Sequence, residues 1–302
     1  MIVCITPIPC LTFIPVIYLF TVSVIWSASF GLFKSCLTTV DPSLAAFLRL
    51  ALALLAFVPF LNVKNLPAKA RLAYCAIGAV QYGLMYMFLN RSFQYLDGWQ
   101  VALMTIFTPF YIVIIEGFWK KKVDVVFLAA ALLAIAGAAI AICDKGCTLP
   151  DSITGCVLVQ LSDISFAAGV LAYRHVRRNH PEVSDARLYA LLFAGGTAIA
   201  LCMTLFSGGF GQIARLTAIQ WEVLLYMGLV SSALCFFLWN VGATKVSTGT
   251  LAVMSDLKIP MAVAVSLGFF NESAGSWARL ATGSAIICLA AYLAHKRAER
   301  TT

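Results

Sequence analysis

The chain has 302 residues, of which 62% are hydrophobic and 11% are charged, and its mean hydropathy is +0.93. Soluble domains are roughly half apolar and about a quarter charged, so this composition excludes an ordinary soluble protein and predicts an integral membrane protein. The net charge of +8 does not indicate a nucleic-acid partner, because the basic residues lie in short clusters between apolar runs. Such clusters are typical of cytoplasmic loops at a membrane surface.

The apolar runs predict transmembrane helices rather than barrel strands, because they are long and do not alternate with polar residues. About 20 apolar residues are needed to cross the hydrocarbon core. Polar clusters and Gly/Pro turns divide the chain into ten such runs, and the narrowest break is Asp97-Gly98. We therefore expect an all-α integral membrane fold with ten transmembrane helices, at 14–36, 43–62, 72–95, 98–118, 125–143, 153–173, 187–207, 221–242, 249–270 and 276–294.

The distribution of Lys and Arg predicts that both termini are cytoplasmic. In that orientation, fourteen of the 21 basic residues fall in cytoplasmic segments and four in outer ones. Such an excess of basic residues marks the cytoplasmic side of membrane proteins. We expect the protein to lie in the inner (cytoplasmic) membrane, in direct contact with the lipid bilayer.

Internal spacings predict two related halves, residues 1–146 and 147–302. Each half contains five predicted helices, an odd number, so the second half would insert upside down relative to the first. Inverted repeats with a site near the midplane are a common plan of secondary transporters. The matched positions are Ser29-Phe30 with Ser165-Phe166, Asn90 with Asn240, Gly98 with Gly249 and Pro109 with Pro260, the last two pairs being 151 residues apart.

Several short motifs are similar to those of one known family. The first half contains Trp26–Phe30 with Lys34, Asp41-Pro42 and Arg49, then Pro109; the second contains Leu238–Asn240, Ser247, Pro260, Glu272 and Gly283. In these pieces the chain resembles the drug/metabolite transporter superfamily, in its ten-helix EamA-type branch. It departs from the pattern at Lys121, which stands where an acidic residue would follow Pro109. The resemblance implies alternating access around a central cavity, with substrates such as amino acids, amines and related metabolites.

Three charged residues inside predicted helices are candidates for the site. Asp163 lies near mid-depth of the sixth helix, where it either pairs with Arg91 or Lys258 or serves a substrate ammonium or a proton. Asp256 and Lys258, two positions apart in the ninth helix, point to nearly opposite sides, so at least one must face a partner elsewhere or water. The first half has Thr105 and Phe107 at the corresponding positions. This asymmetry indicates the binding site.

Two other basic residues have structural interpretations. Arg49 lies about seven residues inside Asp41-Pro42, so we expect its long side chain to reach the outer membrane surface. Arg91 and Asp97 are predicted to form a polar cap at an outer helix end. Pro260 removes the backbone hydrogen bond to the carbonyl of Asp256 and is predicted to kink its helix.

Aromatic and amide residues complete the candidate site. Tyr82, Tyr86 and Asn90 share one face of an ideal helix, and such a stripe suits a cavity for a planar or cationic substrate. The alternative is ordinary core or interface packing. The predicted substrate-binding residues are Trp26, Tyr82, Tyr86, Asn90, Tyr111, Asp163, Trp239, Asn240, Asp256 and Lys258, with helix kinks at Pro109 and Pro260.

The sequence thus predicts a secondary transporter of small amphipathic or zwitterionic metabolites, such as amino acids, amines or S-adenosylmethionine. It contains no nucleotide-binding, zinc or hydrolase motif, so we expect no cofactor, no metal and no enzymatic activity. Transport would then proceed by facilitated diffusion or be coupled to protons or to an exchanged counter-substrate. The alternatives are a membrane-embedded enzyme on lipid or isoprenoid substrates, and a channel or assembly subunit.

Overall fold

The computed structural model describes residues 9–62, 64, 66–119, eight positions between 126 and 140, 149–246, 248–270 and 276–301. In these residues the chain forms helices and no β-strand, and the predicted all-α membrane fold is confirmed. The helices are α1 (Pro9–Cys36), α2 (Pro42–Phe57), α3 (Ala68–Ser92), α4 (Gly98–Trp119), α5 (Leu149–Arg178), α6 (Asp185–Ser207), α7 (Ala218–Lys245), α8 (Thr248–Phe269) and α9 (Trp277–Thr301).

Helices α1 to α7 each contain a stretch long and apolar enough to cross a membrane. They correspond to the predicted spans one to four and six to eight, while α8 and α9 correspond to the ninth and tenth, with ends that differ by a few residues. The eight described positions between 126 and 140 are helical and belong to the predicted fifth span, the rest of which lies outside the described residues. The count of ten helices therefore stays a prediction, and Ser247 and Glu272 also lie outside the described residues.

Side-chain caps fix where several helices begin. Asp41 Oδ1 accepts hydrogen bonds from the backbone N–H groups of Ser43 (3.0 Å) and Leu44 (2.9 Å), at the start of α2. At the start of α4, Gln100 Oε1 accepts from the backbone N–H of Asp97 at 2.8 Å, in a capping box. These caps satisfy N–H groups that a helix leaves unpaired at its first turn. The narrow predicted break between the third and fourth helices is thus confirmed.

Two helices contain π-helical segments, which the sequence analysis did not predict. They are Ala79–Leu84 in α3 and Tyr226–Leu234 in α7. In α4, a 3₁₀ turn at Thr105–Phe107 comes just before Pro109. Pro109 has no N–H to donate to the carbonyl of Thr105, and the Thr108 hydroxyl lies 2.8 Å from that carbonyl oxygen instead.

Helices of the N-terminal part pack mainly on helices of the C-terminal part. Helix α1 packs on α7 and α8, α2 packs on α6 and α7, and α3 and α4 both pack on α5. Helix α6 also packs on α3, and α8 on α4. This set of contacts is unchanged when α1 is exchanged with α5, α2 with α6, α3 with α7 and α4 with α8. The two parts are therefore interleaved around a shared centre.

Glycines allow the closest approach between α3 and α6. A Cβ atom at Gly195 would lie 1.8 Å from the carbonyl oxygen of Cys75, and one at Gly78 would lie 1.7 Å from that of Leu192. Two non-bonded heavy atoms cannot be this close, so even an alanine side chain would push the two backbones apart. Small residues serve this purpose widely in membrane helix packing.

We expect Gly195→Ala to lower the thermal unfolding temperature of the purified protein in detergent, because the added methyl group overpacks the contact by about 1–3 kcal/mol or more. The matched control is Gly268→Ala, in α8, where an added Cβ meets no atom within 4 Å. The control should be neutral or slightly stabilising, since alanine favours helix more than glycine does. Equal unfolding temperatures for both variants would contradict the close packing of α3 on α6.

Candidate substrate-binding cavity

A cavity of about 610 Å³, counting its opening, lies among seven of the helices. Its lining residues lie near the middle of α2, α4, α5, α7 and α8, in the second half of α1 and α3, and at Phe93 just after α3. They are Trp26, Ser29, Phe30, Phe33, Arg49, Met85, Tyr86, Leu89, Phe93, Thr105, Thr108, Ser162, Asp163, Phe166, Ser231, Phe236 and Lys258.

Four of the predicted site residues line this cavity together: Trp26 from α1, Tyr86 from α3, Asp163 from α5 and Lys258 from α8. All four are buried within the protein. Two come from each predicted half of the chain, so the cavity lies where the two parts meet.

Arg49 also lines the cavity, and the expectation that it reaches the outer membrane surface is wrong. Its side chain is only 4% exposed and is turned inward, where Nη2 donates a hydrogen bond to the Tyr86 hydroxyl at 2.7 Å. The guanidinium also lies over the Tyr86 ring, 4.0 Å from its centre. The Nε atom is buried and has no hydrogen-bond partner among the residues that the structure describes. An inward orientation is possible because Tyr86 offers both a hydroxyl and an aromatic face at that depth.

The π-helical segment of α7 contacts this part of the cavity. The Tyr86 hydroxyl hydrogen-bonds the Ser232 hydroxyl at 2.8 Å, and Trp26 Nε1 donates to the Ser231 carbonyl at 2.8 Å. The hydroxyls of Ser29 and Ser231 are 2.9 Å apart. A π-helix disturbs the regular backbone hydrogen-bond pattern, and such segments are frequent at functional sites. Here the segment holds Tyr86 and Trp26 in place beside Arg49.

Asp163 and Lys258 form the second charged group of the cavity. The two side chains interact electrostatically, so Lys258 rather than Arg91 is the charge that faces Asp163. The ammonium of Lys258 lies 5.5 Å from the centre of the Trp26 ring. Asp163 Oδ2 is buried and has no hydrogen-bond partner among the described residues. This carboxylate therefore has unused capacity to accept a hydrogen bond.

Tyr82 and Asn240 do not line the cavity. Asn240 Nδ2 donates to the Tyr82 hydroxyl at 3.0 Å, and its Oδ1 accepts from Gln81 Nε2 at 3.0 Å. All three side chains are fully buried between α3 and α7. Because the π-helical segment Ala79–Leu84 changes the helical register, Tyr82 and Tyr86 do not form the continuous cavity face that ideal helical spacing predicts. We interpret this group as a link between the two halves.

The other predicted residues take up positions around the cavity. Trp239 is fully buried behind Trp26, with the ring centres 5.2 Å apart. Asn90 Nδ2 donates to the carbonyl of Pro42 at 3.2 Å, and the Tyr111 hydroxyl donates to Gln160 Oε1 at 2.9 Å.

Two predicted residues in α8 are described in their backbone only. Asp256 and Pro260 lie within α8, which continues to Phe269, and their side chains lie outside the described ones. The roles predicted for them stay predictions.

One end of the cavity is closed by aromatic rings. Phe33 and Phe93 stack with their ring centres 4.7 Å apart. Just beyond them, Lys34 Nζ donates to the carbonyls of Phe93 (3.0 Å) and Leu96 (2.9 Å) and lies 3.4 Å from Asp97 Oδ1. The polar cap at this helix end thus joins Asp97 to Lys34, where the sequence analysis paired it with Arg91. Lys34 thereby joins α1 to the end of α3.

The hydroxyl residues of the lining were missed by the sequence analysis. Ser29, Thr105, Thr108, Ser162 and Ser231 contribute small polar groups to the cavity. Serine and threonine are common in membrane helices and normally hydrogen-bond to their own backbone, so their presence alone predicts no site. The sequence contained one indication: Thr105 occupies the position in the first half that corresponds to Asp256 in the second.

Comparisons with known proteins agree with this architecture. The model of the EamA-like transporter family matches residues 13–143 and again residues 153–294. The biotin transporter of Escherichia coli strain K12 is 33% identical over 278 residues, 91% of each chain. The probable biotin transporter of Pseudomonas aeruginosa is 36% identical over 274 residues, which are 89% of this chain and 94% of that one.

A solved crystal structure shares the fold at 18% sequence identity. It superposes with a TM-score of 0.68 over 95% of this chain and 97% of that chain. The two family matches, the full-length relatives and the central cavity lead to one conclusion: the chain belongs to the EamA-like transporter family and is an integral membrane transporter, not an enzyme.

Proposed function

We propose that this transporter carries biotin or a closely similar monocarboxylate across the cytoplasmic membrane. The proposal draws on the two full-length relatives whose names state biotin transport or probable biotin transport. Biotin has a carboxylate at the end of an aliphatic chain and a bicyclic head with a cyclic urea and a thioether. Such a molecule requires one anion-binding group, apolar walls and a few polar groups, which the cavity offers.

The observation that carries the proposal is the burial of the Arg49 guanidinium inside the cavity wall. Among the described residues, no carboxylate forms an ion pair with this buried guanidinium. A buried charge without an opposite partner is unfavourable by several kcal/mol, even where a hydrogen bond and an aromatic ring reduce the penalty. A substrate carboxylate would supply the missing partner through paired N–H···O hydrogen bonds.

The charge of the whole lining supports the same substrate class. Within the described lining, Arg49 and Lys258 are cations, and Asp163 is the one carboxylate. The excess positive charge favours a monoanion and disfavours amines or S-adenosylmethionine. Amino acids are the second candidate, because Arg49 and Asp163 together offer a partner for each charge of a zwitterion.

The transport cycle we propose is alternating access between two inverted halves, residues 1–146 and 147–302. The paired packing of helices and the two π-helical segments, one per half, support this division. The distribution of basic residues supports a cytoplasmic location of both termini. Substrate would leave by relative movement of the two halves around the cavity.

Protons or a counter-substrate are the proposed driving partners, and Asp163 is the candidate coupling group. The charged and titratable side chains around it are Lys258 from α8, Tyr111 from α4, and Arg49 and Tyr86 across the cavity. A proton on Asp163 would remove the partner of Lys258 and raise the positive charge around the substrate. A carboxylate in this position is therefore suited to link proton and anion binding.

We expect Arg49→Met to weaken biotin transport by about 10- to 100-fold, the value of a lost hydrogen bond to a charged group. The measurement is counterflow of labelled biotin into proteoliposomes loaded with unlabelled biotin. Without ligand, the Arg49→Met protein should unfold at the same temperature as the wild type or at a higher one, because an unpaired buried charge has been removed. Arg49→Lys should be intermediate, since it keeps the charge but loses the planar fork.

The matched control for this experiment is Arg215→Met, at an exposed position outside the cavity. It should transport biotin as the wild type does. Counterflow of biotin that is unchanged by Arg49→Met would contradict the role of Arg49. A wild type that exchanges amino acids but not biotin would contradict the proposed substrate.

We further expect Asp163→Asn to abolish any accumulation of biotin that depends on an imposed proton gradient, while exchange of internal for external biotin persists. The reason is that an amide in place of the carboxylate cannot take up a proton. The measurement compares uptake with and without the gradient, and with and without internal biotin. If the wild type responds to internal biotin but not to the gradient, exchange rather than proton coupling drives transport.

A further inference from the structure

We propose that the cavity contains a second recognition element that selects for N–H donors on the substrate. It consists of Asp163, Thr105 and Thr108, and we name it the acceptor pole. The pole would distinguish carboxylates that carry a neutral cyclic urea or amide from carboxylates with a purely apolar ring. This inference rests on the proposed function, because it assumes that Arg49 holds the carboxylate of the same substrate.

The first observation is the unused oxygen of Asp163. Its Oδ2 atom is buried and has no hydrogen-bond partner among the described residues, and Asp163 is one of the residues that line the cavity. An ionised carboxylate has two oxygens and about four acceptor positions, and it has no proton to donate. A buried acceptor left unpaired is unfavourable by about 1–3 kcal/mol. A ligand N–H in the cavity would satisfy it.

The second observation concerns the two threonines of α4. The Thr105 hydroxyl donates to the carbonyl of Ala102 at 2.8 Å, and the Thr108 hydroxyl donates to that of Thr105 at 2.8 Å. Thr108 also lies beside the Asp163 carboxylate, but a hydroxyl has a single hydrogen and cannot satisfy both acceptors at once. Both threonines are among the residues that line the cavity, and a hydroxyl that donates one hydrogen bond keeps lone pairs that can accept others. They can accept hydrogen bonds but have no further hydrogen to offer.

Pro109, which follows Thr108, affects the same carbonyl of Thr105. In a regular helix, the N–H at position 109 would donate to the carbonyl of Thr105, and proline has no N–H. The carbonyl of Thr105 instead accepts from the backbone N–H of Thr108 and from the Thr108 hydroxyl. Such hydroxyl-to-backbone hydrogen bonds are common for threonine in helices.

Lys258 determines what kind of donor the pole suits. Its interaction with Asp163 brings the charge of this region close to zero. A second cation on the ligand would have to compete with Lys258, whereas a neutral N–H adds a hydrogen bond without changing the charge. The preferred substrate thus has one anionic end, for Arg49, and one neutral end rich in N–H groups. The remaining lining is mostly aromatic and aliphatic, including Phe30, Phe166 and Phe236.

Three compounds distinguish carboxylate binding at Arg49 from N–H binding at the acceptor pole. Biotin has both a carboxylate and a cyclic urea, lipoate has the same carboxylate chain on a sulfur ring without N–H groups, and biotinamide keeps the urea but has no negative charge. Binding constants are measured on the full-length purified protein by calorimetry or by ligand-dependent thermal shift. We expect the wild type to bind biotin at least about tenfold more tightly than lipoate.

Variants of the acceptor pole and of Arg49 should change the binding preferences in different ways. Asp163→Asn should reduce the preference for biotin over lipoate by about tenfold, and Thr105→Val by a few fold, while lipoate binding stays unchanged. Arg49→Met should weaken biotin and lipoate equally and remove the preference for biotin over biotinamide. Asp97→Asn makes the same chemical change as Asp163→Asn but outside the cavity, and it should alter neither preference.

Other results would overturn the inference. If Asp163→Asn weakens biotin and lipoate equally, Asp163 has only a structural role. If that variant fails to fold because Lys258 loses its partner, the double variant Asp163→Asn with Lys258→Met and the single variant Thr105→Val provide the same comparison. A Thr105→Val protein with an unchanged biotin-to-lipoate ratio also contradicts the acceptor pole. If the wild type binds lipoate and biotin equally, the acceptor pole is disproved, but the proposal of biotin transport still stands. If the wild type binds neither compound, the proposed substrate is disproved.

Discussion

The structure depends on one constraint: a guanidinium is held inside the membrane, and no carboxylate in the described part of the chain pairs with it. Arg49 is buried in α2, and its contacts are to the hydroxyl and ring of Tyr86, which is fixed in turn by Ser232. These neutral contacts reduce the penalty of burying the charge but do not neutralise it. If this position served stability alone, we would expect an acidic residue beside Arg49 or an apolar residue in its place. The arrangement is understandable if the partner is the transported anion, which is present for only part of the cycle.

The interleaved packing explains how such a site can be both fixed and transiently accessible. Helices of the first half pack chiefly on helices of the second, and α3 and α6 approach each other closely at Gly78 and Gly195. The cavity takes its charged groups from both sides, with Arg49 from the first half and Asp163 and Lys258 from the second. Any relative motion of the halves would change the distances among these three groups. Binding of an anion with a hydrogen-bonding head would accordingly be sensitive to the same motion.

The sequence predicts the fold well because hydropathy and helix caps are local properties, and four of the ten predicted site residues line the cavity. The failures have non-local causes. The direction of Arg49 depends on Tyr86, 37 positions along the chain, so a residue about seven positions inside Asp41-Pro42 was assigned to the surface. The stripe from Tyr82 to Tyr86 assumed ideal helical spacing, which the π-helical segment Ala79–Leu84 does not have. The repeat drew attention to Asp256 and Lys258, and it placed Thr105 opposite Asp256 without indicating that this threonine lines the cavity.

The central claim is that the substrate carboxylate is the missing partner of Arg49. A structure of the protein with biotin bound, determined at a resolution that places the ligand's carboxylate, tests it most directly. The account predicts that this carboxylate lies within about 3 Å of the Arg49 guanidinium, in a paired arrangement of N–H···O hydrogen bonds. It would be contradicted by a carboxylate bound at Lys258 with Arg49 still paired only to Tyr86.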